Sequence, residues 1–451
     1  MERDMTRHGF PTLNEAAQRL EAGTVSAATL VEEALSRARE GEGPRVFTTL
    51  HTKSARDSAL AMDALRKVGR APSRFAGIPV TVKDLFDEAG VVTRAGSRAL
   101  DRGPAPRTAP AVMRLLRHGF VVLGRTNMSE FAFSGLGVNP HYRTPLSPWD
   151  RETGRIPGGS SSGAAVAAAD GMGFGGLGTD TGGSCRIPAA LCGVVGFKPS
   201  AHRVPLDGAF PLSSSLDSIG PLARSVRDCQ ILDSVISGAD EVPNLVPAEV
   251  AGLRLGVLHT VVEDGLTGEV ARPYGRALAR LEAAGARLSD LSLPALERLP
   301  SINGKGGLTA SEAMALHQAL IAERRGDYDP RILSRIERGL GMSAADYLAV
   351  MAARREVQAE CAARIEGFDA VICPTVPIPP PSLAEVEEEA EYGRLNLLLL
   401  RNTAIANFLD ICAISLPCHQ PGDAPAGLML MAPRGMDARL FAIAAGVERE
   451  L

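Results

Sequence analysis

At 451 residues the chain exceeds an ordinary single domain, and 45% hydrophobic against 22% charged residues leave ample apolar material for a large core. A formal net charge of −4 offers no field for phosphate backbones, which argues against nucleic acid as a partner. No stretch reaches the roughly 18 continuous apolar residues of a membrane span, and the start, Met1 to Leu20, lacks the apolar core of a signal peptide, so a cytoplasmic protein is expected.

Residues Thr12 to Glu40 carry Leu13, Ala16 and Leu20, then Leu30, Val31, Ala34 and Leu35, at helical spacing; the break at Gly23 predicts two amphipathic helices. A third helical stretch covers Lys53 to Val68. From Gly77 onward Ile78, Val80 and Val82 alternate with Pro79, Thr81 and Lys83, a strand that ends on a lysine. A lysine at the end of a buried strand is a candidate reactive group, and Asp84 beside it is expected on the opposite face. Gly90 to Val92, a helix over Ala109 to Arg117 and a strand over Phe120 to Gly124 continue the alternation that predicts an α/β layered fold. The segment Gly124 to Phe131 then reads as a helix start capped by Thr126 or Asn127, with Asn127 and Glu130 as capping and bracing groups.

The densest run of Gly and Ser lies between Gly154 and Ser200, where backbone can approach a ligand closely. Ser160 precedes an alanine-rich helix, Ala164 to Ala169, and reads as its N-cap. Ser184 follows Asp180-Thr181-Gly182-Gly183, a sequence that lets the N–H groups of Thr181, Gly182, Gly183 and Ser184 converge beside the Ser184 hydroxyl as an oxyanion hole. No His lies between Asp150 and Ser200, so the base for a serine nucleophile comes from elsewhere. Gly159 to Gly163 matches G-x-S-x-G, which would select Ser161, yet no strand precedes it. Gly173 to Gly178 matches G-x-G-x-x-G but follows a helix rather than a strand. Asp180 and Arg186 flank the nucleophile loop and are expected to brace it as a salt bridge, and Cys185 reads as a small filler.

Farther on, Val226 to Ser237 reads as a helix, and Leu253 to Leu258, Glu269 to Ala284 and Ala286 to Leu288 as a strand-helix-strand unit extending the same sheet. Ala310 to Ala319 and Ala344 to Ile365 read as helices, and Pro374 to Tyr392 as a surface loop or lid. The 7 cysteines lack paired short spacings and sit mostly in apolar runs, which predicts reduced, buried thiols and no metal site.

GIPVTVKDLFD (Gly77 to Asp87), GRTNMSEFAFSG (Gly124 to Gly135), PGGSSSGAA (Pro157 to Ala165) and GTDTGGSCRIPAALCGVVGFKPS (Gly178 to Ser200), in this order and separation, resemble the amidase signature family of Ser-cis-Ser-Lys hydrolases. The likeness runs on from Val204 to Cys229 and, more loosely, through Gly367 to Pro379 and Asn407 to Cys418. It implies a mixed central β-sheet covered by helices on both faces, in one domain over 1–451: N-terminal helices in 1–70, a catalytic core in 71–235, and in 250–451 a peripheral extension and cleft-lining part. It makes Ser184 the nucleophile, Ser160 the bridging serine after a cis peptide and Lys83 the base, with Met128, Phe131, Ser134 and Gly159 as pocket wall. One departure is Ser162, where the family usually has Gly, which bears on the local loop geometry.

The implied activity is hydrolysis of a small-molecule amide through a Ser184 acyl-enzyme; the alternative is the amidase component of a tRNA-dependent amidotransferase complex. Neither metal nor cofactor is implied. The expected partners are the amide and water, without nucleic acid or membrane, and a homodimer is kept open. Lys83 has to be neutral to act, and its ordinary pKa near 10.4 leaves roughly one molecule in a thousand so at pH 7.4. A shift of about three units, ~4 kcal/mol, is within reach of burial alone. Specificity is expected from Phe131 to Leu136, Asn303 to His317 and Asn402 to Cys412, whose mixed character suits neither a purely apolar nor a strongly charged ligand.

Overall fold

The helical spacing near the N-terminus folds as read. Thr12 and Glu15 close a reciprocal cap on the helix Leu13–Glu21, and the Ser26 side chain caps Ala27–Arg39. The computed structural model describes residues 9–451, so the reading of a leaderless start falls partly on residues 1–8, outside them. Among the described residues no helix is long and apolar enough to cross a membrane.

The strands are β1 (Phe47–Leu50), β2 (Pro79–Lys83), β3 (Val121–Thr126), β4 (Gly175–Asp180), β5 (Val195–Lys198), β6 (Ser218–Ala223), β7 (Arg254–Leu258), β8 (Arg287–Leu291), β9 (Ala370–Pro374), β10 (Cys412–Pro417) and β11 (Gly427–Ala432). All join one 11-stranded sheet in the order β1-β3-β2-β4-β6-β5-β10-β11-β9-β7-β8. Parallel pairs flank an antiparallel middle: β3, β2 and β4 run parallel, as do β9, β7 and β8, while β4 through β9 pair antiparallel across the centre. The unit β7, Gly268–Ala283, β8 does extend this sheet at one end.

Helices cover both faces. Ser162–Ala169 and Arg186–Cys192 pack on each other, and their alanines form a buried cluster with Val46, Cys185 and Leu222. On the other side Val226–Ser237 and Asp437–Glu450 pack together, with Val235, Ile236, Phe197 and Phe441 in the main core. Fully buried strands such as β2 and β4 follow from this double cover.

Four readings change. Gly90 to Val92 forms isolated bridges, Ala89 with Ala105 and Val92 with Pro104, and no strand. No α-helix follows β3: a single 3-10 turn, Glu130–Ala132, holds Phe131 at φ 49°, because the Asn127 amide is drawn to the carbonyls of Arg45 at 2.9 Å and Arg143 at 2.5 Å instead of capping. Ser160 is not a helix cap; Ser161 precedes the helix and makes no side-chain cap bond. The stretch Pro374 to Tyr392 is a loop only in part, since a helix spans Glu389–Leu409 with Tyr392 buried in its first turn.

The glycines of the G-x-G-x-x-G match are β4 itself. A Cβ on Gly176 would stand 2.6 Å from Thr81 Oγ1, and one on Gly178 2.7 Å from Ser161 Oγ. Glycine thus lets the helix Ser162–Ala169 and its serine-bearing entry lie directly on the sheet.

Candidate active site

β2 and β4 run side by side, with Thr81 opposite Gly176 and Val82 opposite Leu177, so Lys83 and Thr179 emerge at the same end of the sheet. Lys83 Nζ donates to Ser160 Oγ at 2.7 Å and to Thr179 Oγ1 at 2.8 Å, with lysine and Ser160 both fully buried. Burial lowers the amine to about 8, against the raising effect of the Asp180 and Asp217 carboxylates. Asp84 turns to other partners: Arg125 Nε donates to its carboxylate at 2.8 Å. The Gly159–Ser160 peptide is cis, and the Ser160 carbonyl accepts from Ser129 N at 3.1 Å.

The loop after β4 carries Ser184 to the same place. Ser161 N donates to the Ser184 carbonyl at 3.2 Å, which ties the loop to the Ser160 segment. Asp180, the last residue of β4, receives Arg186 Nη2 at 2.8 Å and Nε at 3.1 Å, a bidentate pair with both partners fully buried. Burial alone would raise the Asp180 carboxyl; the Arg186 charge and hydrogen bonds, with Asn407, bring it instead to about 2. Arg186 also donates to the Thr403 carbonyl at 2.8 Å and Asn407 Oδ1 at 2.7 Å, so the brace reaches the helix Glu389–Leu409. That helix clasps the loop directly, Thr403 Oγ1 donating to the Gly182 carbonyl at 2.7 Å. Gly183 sits at φ 135°, and a Cβ there would lie 2.0 Å from Thr403 Oγ1, so only glycine fits. On its other side Thr181 Oγ1 donates to Asp217 Oδ1 at 2.5 Å.

Two details of this loop bear on chemistry. Among the described residues, the backbone N–H groups of Thr181, Gly182, Gly183 and Ser184 have no acceptor. Burial pushes the Cys185 thiol far up, so it stays protonated with Gly220 O as its acceptor at 3.5 Å.

Ser184, Thr181 and Gly182 open on a cavity of about 410 Å³ whose wall also includes Ser134, Leu212, Asn396 and Phe408. Of the four residues expected as pocket wall, Ser134 lines it. Met128 packs against Gly96, Phe131 stacks among Phe210, His317 and Tyr328, and Gly159 lies beneath Gly137 and Ser129, all away from the cavity. Of the three expected specificity segments, Phe131 to Leu136 supplies Ala132, Phe133 and Ser134 to the wall, and the other two, helical for much of their length in Gly307–Arg324 and Glu389–Leu409, supply Asn303, Thr309 and Asn407. Sequence reasoning missed Arg335, Arg338, Asn396 and Asp217. The arginines carried a signal in their spacing from Arg331, one and two turns along a helix; Asn396 and Asp217 carried none. Ser162, the departure from the family pattern, opens its helix and donates to the Asn127 carbonyl at 3.3 Å. Among the described residues no group of three or more His, Cys, Asp or Glu is placed to hold a metal ion.

Comparison with known proteins gives the family. The family model described as Amidase matches residues 29–441. The chain is 36% identical over 440 residues to a 2-amino-5-chloromuconic acid deaminase of Comamonas testosteroni, covering 97% of this chain and 95% of that one. It is 34% identical over 477 residues to a glutamyl-tRNA(Gln) amidotransferase component, the A-type polypeptide of Anaeromyxobacter sp. (strain K), covering 97% and 96%. A solved amidase structure superposes with a TM-score of 0.87 at 33% identity, over 98% of this chain and 100% of the other. The chain belongs to the amidase family and is an amide-hydrolysing enzyme.

Proposed function

We propose that the protein hydrolyses a small-molecule amide through a Ser184 acyl-enzyme, with Ser160 relaying protons to Lys83. The observation that carries this reading is a buried amine, brought to about 8, within hydrogen-bond distance of the Ser160 hydroxyl. At pH 7.4 about one molecule in five then holds the amine neutral, against one in a thousand for an exposed lysine. In that form Ser160 donates its proton to the Nζ lone pair, while Nζ keeps donating to Thr179.

Ser184 Oγ bonds to the amide carbon as its proton passes to Ser160, whose own proton passes to Lys83. The oxyanion is received by the unpaired N–H groups of Thr181 to Ser184; buried donors seldom stay unpaired, and four in succession beside a serine hydroxyl suit a ligand oxygen. The C–N bond breaks as the relay returns a proton to the leaving nitrogen. Water, deprotonated by the same relay, then releases the acid and restores Ser184.

Mass spectrometry after exposure to a slow ester or amide tests this. The acyl mass is expected on the peptide bearing Ser184 and absent from Ser184→Ala; an adduct on Ser161 or Cys185 instead would overturn the assignment. The relatives named as amidotransferase components favour a second reading, an amidase component that supplies ammonia to charged tRNA. Ammonia transfer on addition of a second polypeptide, with little free hydrolysis, would establish it.

A further inference from the structure

The residues lining the cavity at Ser184 are lopsided in charge: Arg335 and Arg338 are there, and no Asp or Glu is. Both come from the helix Pro330–Glu337 and the turn Arg338–Gly341 that follows it, at one and two turns from Arg331. Their engagement differs along this row. Arg331 is neutralised by Asp329, donating from Nε and Nη2 at 3.1 Å each. Arg335 and Arg338 have no carboxylate partner among the described residues. Arg335 Nη1 donates only to the Phe133 carbonyl at 3.1 Å, and Arg338 Nη2 only to the Gly304 carbonyl at 2.9 Å.

Arg335 is half-buried, with its guanidinium over the Tyr392 ring, and Arg338 is exposed at the rim; both line one cavity with most of their N–H donors unspent, and the half-buried Arg335 has no anion beside it. Asn396 lines the same wall. Gly135 N and Ser134 Oγ, at 2.8 and 3.0 Å, hold its Oδ1, so its Nδ2 is left as a further donor toward the cavity. The adjoining cavity of about 350 Å³, which shares Ala132, Thr181 and Leu212 with the first, has the opposite sign: Asp207 and Asp217 line it, and no Lys or Arg does. An anion is attracted to the first chamber and repelled by the second, with Thr181 in the wall of both.

We propose that the acyl half of the substrate carries a carboxylate, received by Arg335 and Arg338. The enzyme then hydrolyses anionic amides, the half-amides of dicarboxylic acids, in preference to neutral ones. This rests on the amide hydrolysis proposed above and names the class of amide. It also replaces the expectation from sequence of a cavity unsuited to strongly charged ligands. The planar guanidinium can hold two carboxylate oxygens at once, which lysine cannot, so the pair fixes the carboxylate's orientation as well as its charge.

The test uses succinamate and glutaramate against butyramide and valeramide, neutral amides of matched length. Binding to Ser184→Ala is measured by calorimetry, and kcat/KM is measured on the intact enzyme. The anionic member of each pair is expected to bind about 10- to 100-fold more tightly, the range for a charge-assisted contact, and the preference to fall as salt rises. Arg335→Gln and Arg338→Gln are expected to reduce the anionic-to-neutral ratio, chiefly through KM, and Arg335→Lys to restore part of it. Circular dichroism checks that each variant is folded, and the ratio within one variant is independent of how much protein is active. Equal binding of anionic and neutral amides, or a preference that survives both Gln variants, would overturn the inference while leaving hydrolysis at Ser184 intact. Tight binding of succinamate or glutaramate with no turnover and no Ser184 adduct would support the anion site and count against the hydrolytic reading alone.

Discussion

Lys83 and Lys198 make a controlled comparison within one molecule. Both end strands of the central sheet, both are buried, and burial brings both amines to about 8. Their neighbours separate them. Lys83 faces the hydroxyls of Ser160 and Thr179, which carry protons that can move. Lys198 donates to the carbonyls of Pro199 at 2.7 Å and Ile411 at 2.9 Å, which have no proton to give. The first environment suits a base, and the second a cross-link between the end of β5 and the start of β10. Burial shifts a lysine, but its partners decide what the shifted lysine can do.

The comparison breaks most visibly in turnover. Lys83→Met is expected to lower kcat/KM by about 10³- to 10⁴-fold, as for loss of a general base, whereas Lys198→Met keeps it within about threefold. Similar losses from both would erase the distinction. Next in size is the Asp180–Arg186 pair, whose charge acts on both amines. Arg186→Ala leaves a fully buried carboxylate unpaired and is expected to cost about 3–5 kcal/mol in denaturant unfolding. A loss below about 1 kcal/mol would mean that the pair does not brace the loop. Lys198→Met itself is expected to destabilise by about 1–3 kcal/mol, because two buried carbonyls lose their donor.

The smallest effect is in pH dependence. The base must be unprotonated, so kcat/KM should rise about tenfold per unit below pH 8 and flatten above it. The linked effect on stability has the same sign. Both amines lose their protons in the folded state near 8 and in the unfolded chain near 10.5, so their own contribution to stability increases with pH across that window and is flat below it, while buried thiols such as Cys185, raised by burial, oppose it above about 9. An activity limb near 6 would point to Asp217, whose carboxyl burial raises to about 6, in place of Lys83.

The strand that ends on Lys83, the helices Leu13–Glu21, Ala27–Arg39 and Val226–Ser237, and the edge unit of β7 and β8 were legible because their apolar residues keep a clean period. The convergence of Lys83 with Ser160 was not legible from spacing; resemblance supplied it. β4 stayed hidden because its glycines serve close packing and leave no pattern of side chains to read. The helix Glu389–Leu409 stayed hidden because its apolar residues come as a run, Leu397 to Leu400, and its polar Asn402, Thr403 and Asn407 are buried in contacts with distant residues. The expected helix after β3 failed for a related reason: Asn127 is claimed by carbonyls 82 and 16 residues away. Local propensity read correctly wherever local contacts decided the structure.

The clasp between Thr403 and the Gly182 carbonyl makes the helix Glu389–Leu409 answerable to two demands, holding the reactive loop and walling the cavity. Few of its positions can drift without disturbing the chemistry. The segment bearing Arg335 and Arg338 reaches the same cavity with no bond to that loop, so relatives that diverge in substrate should differ there first.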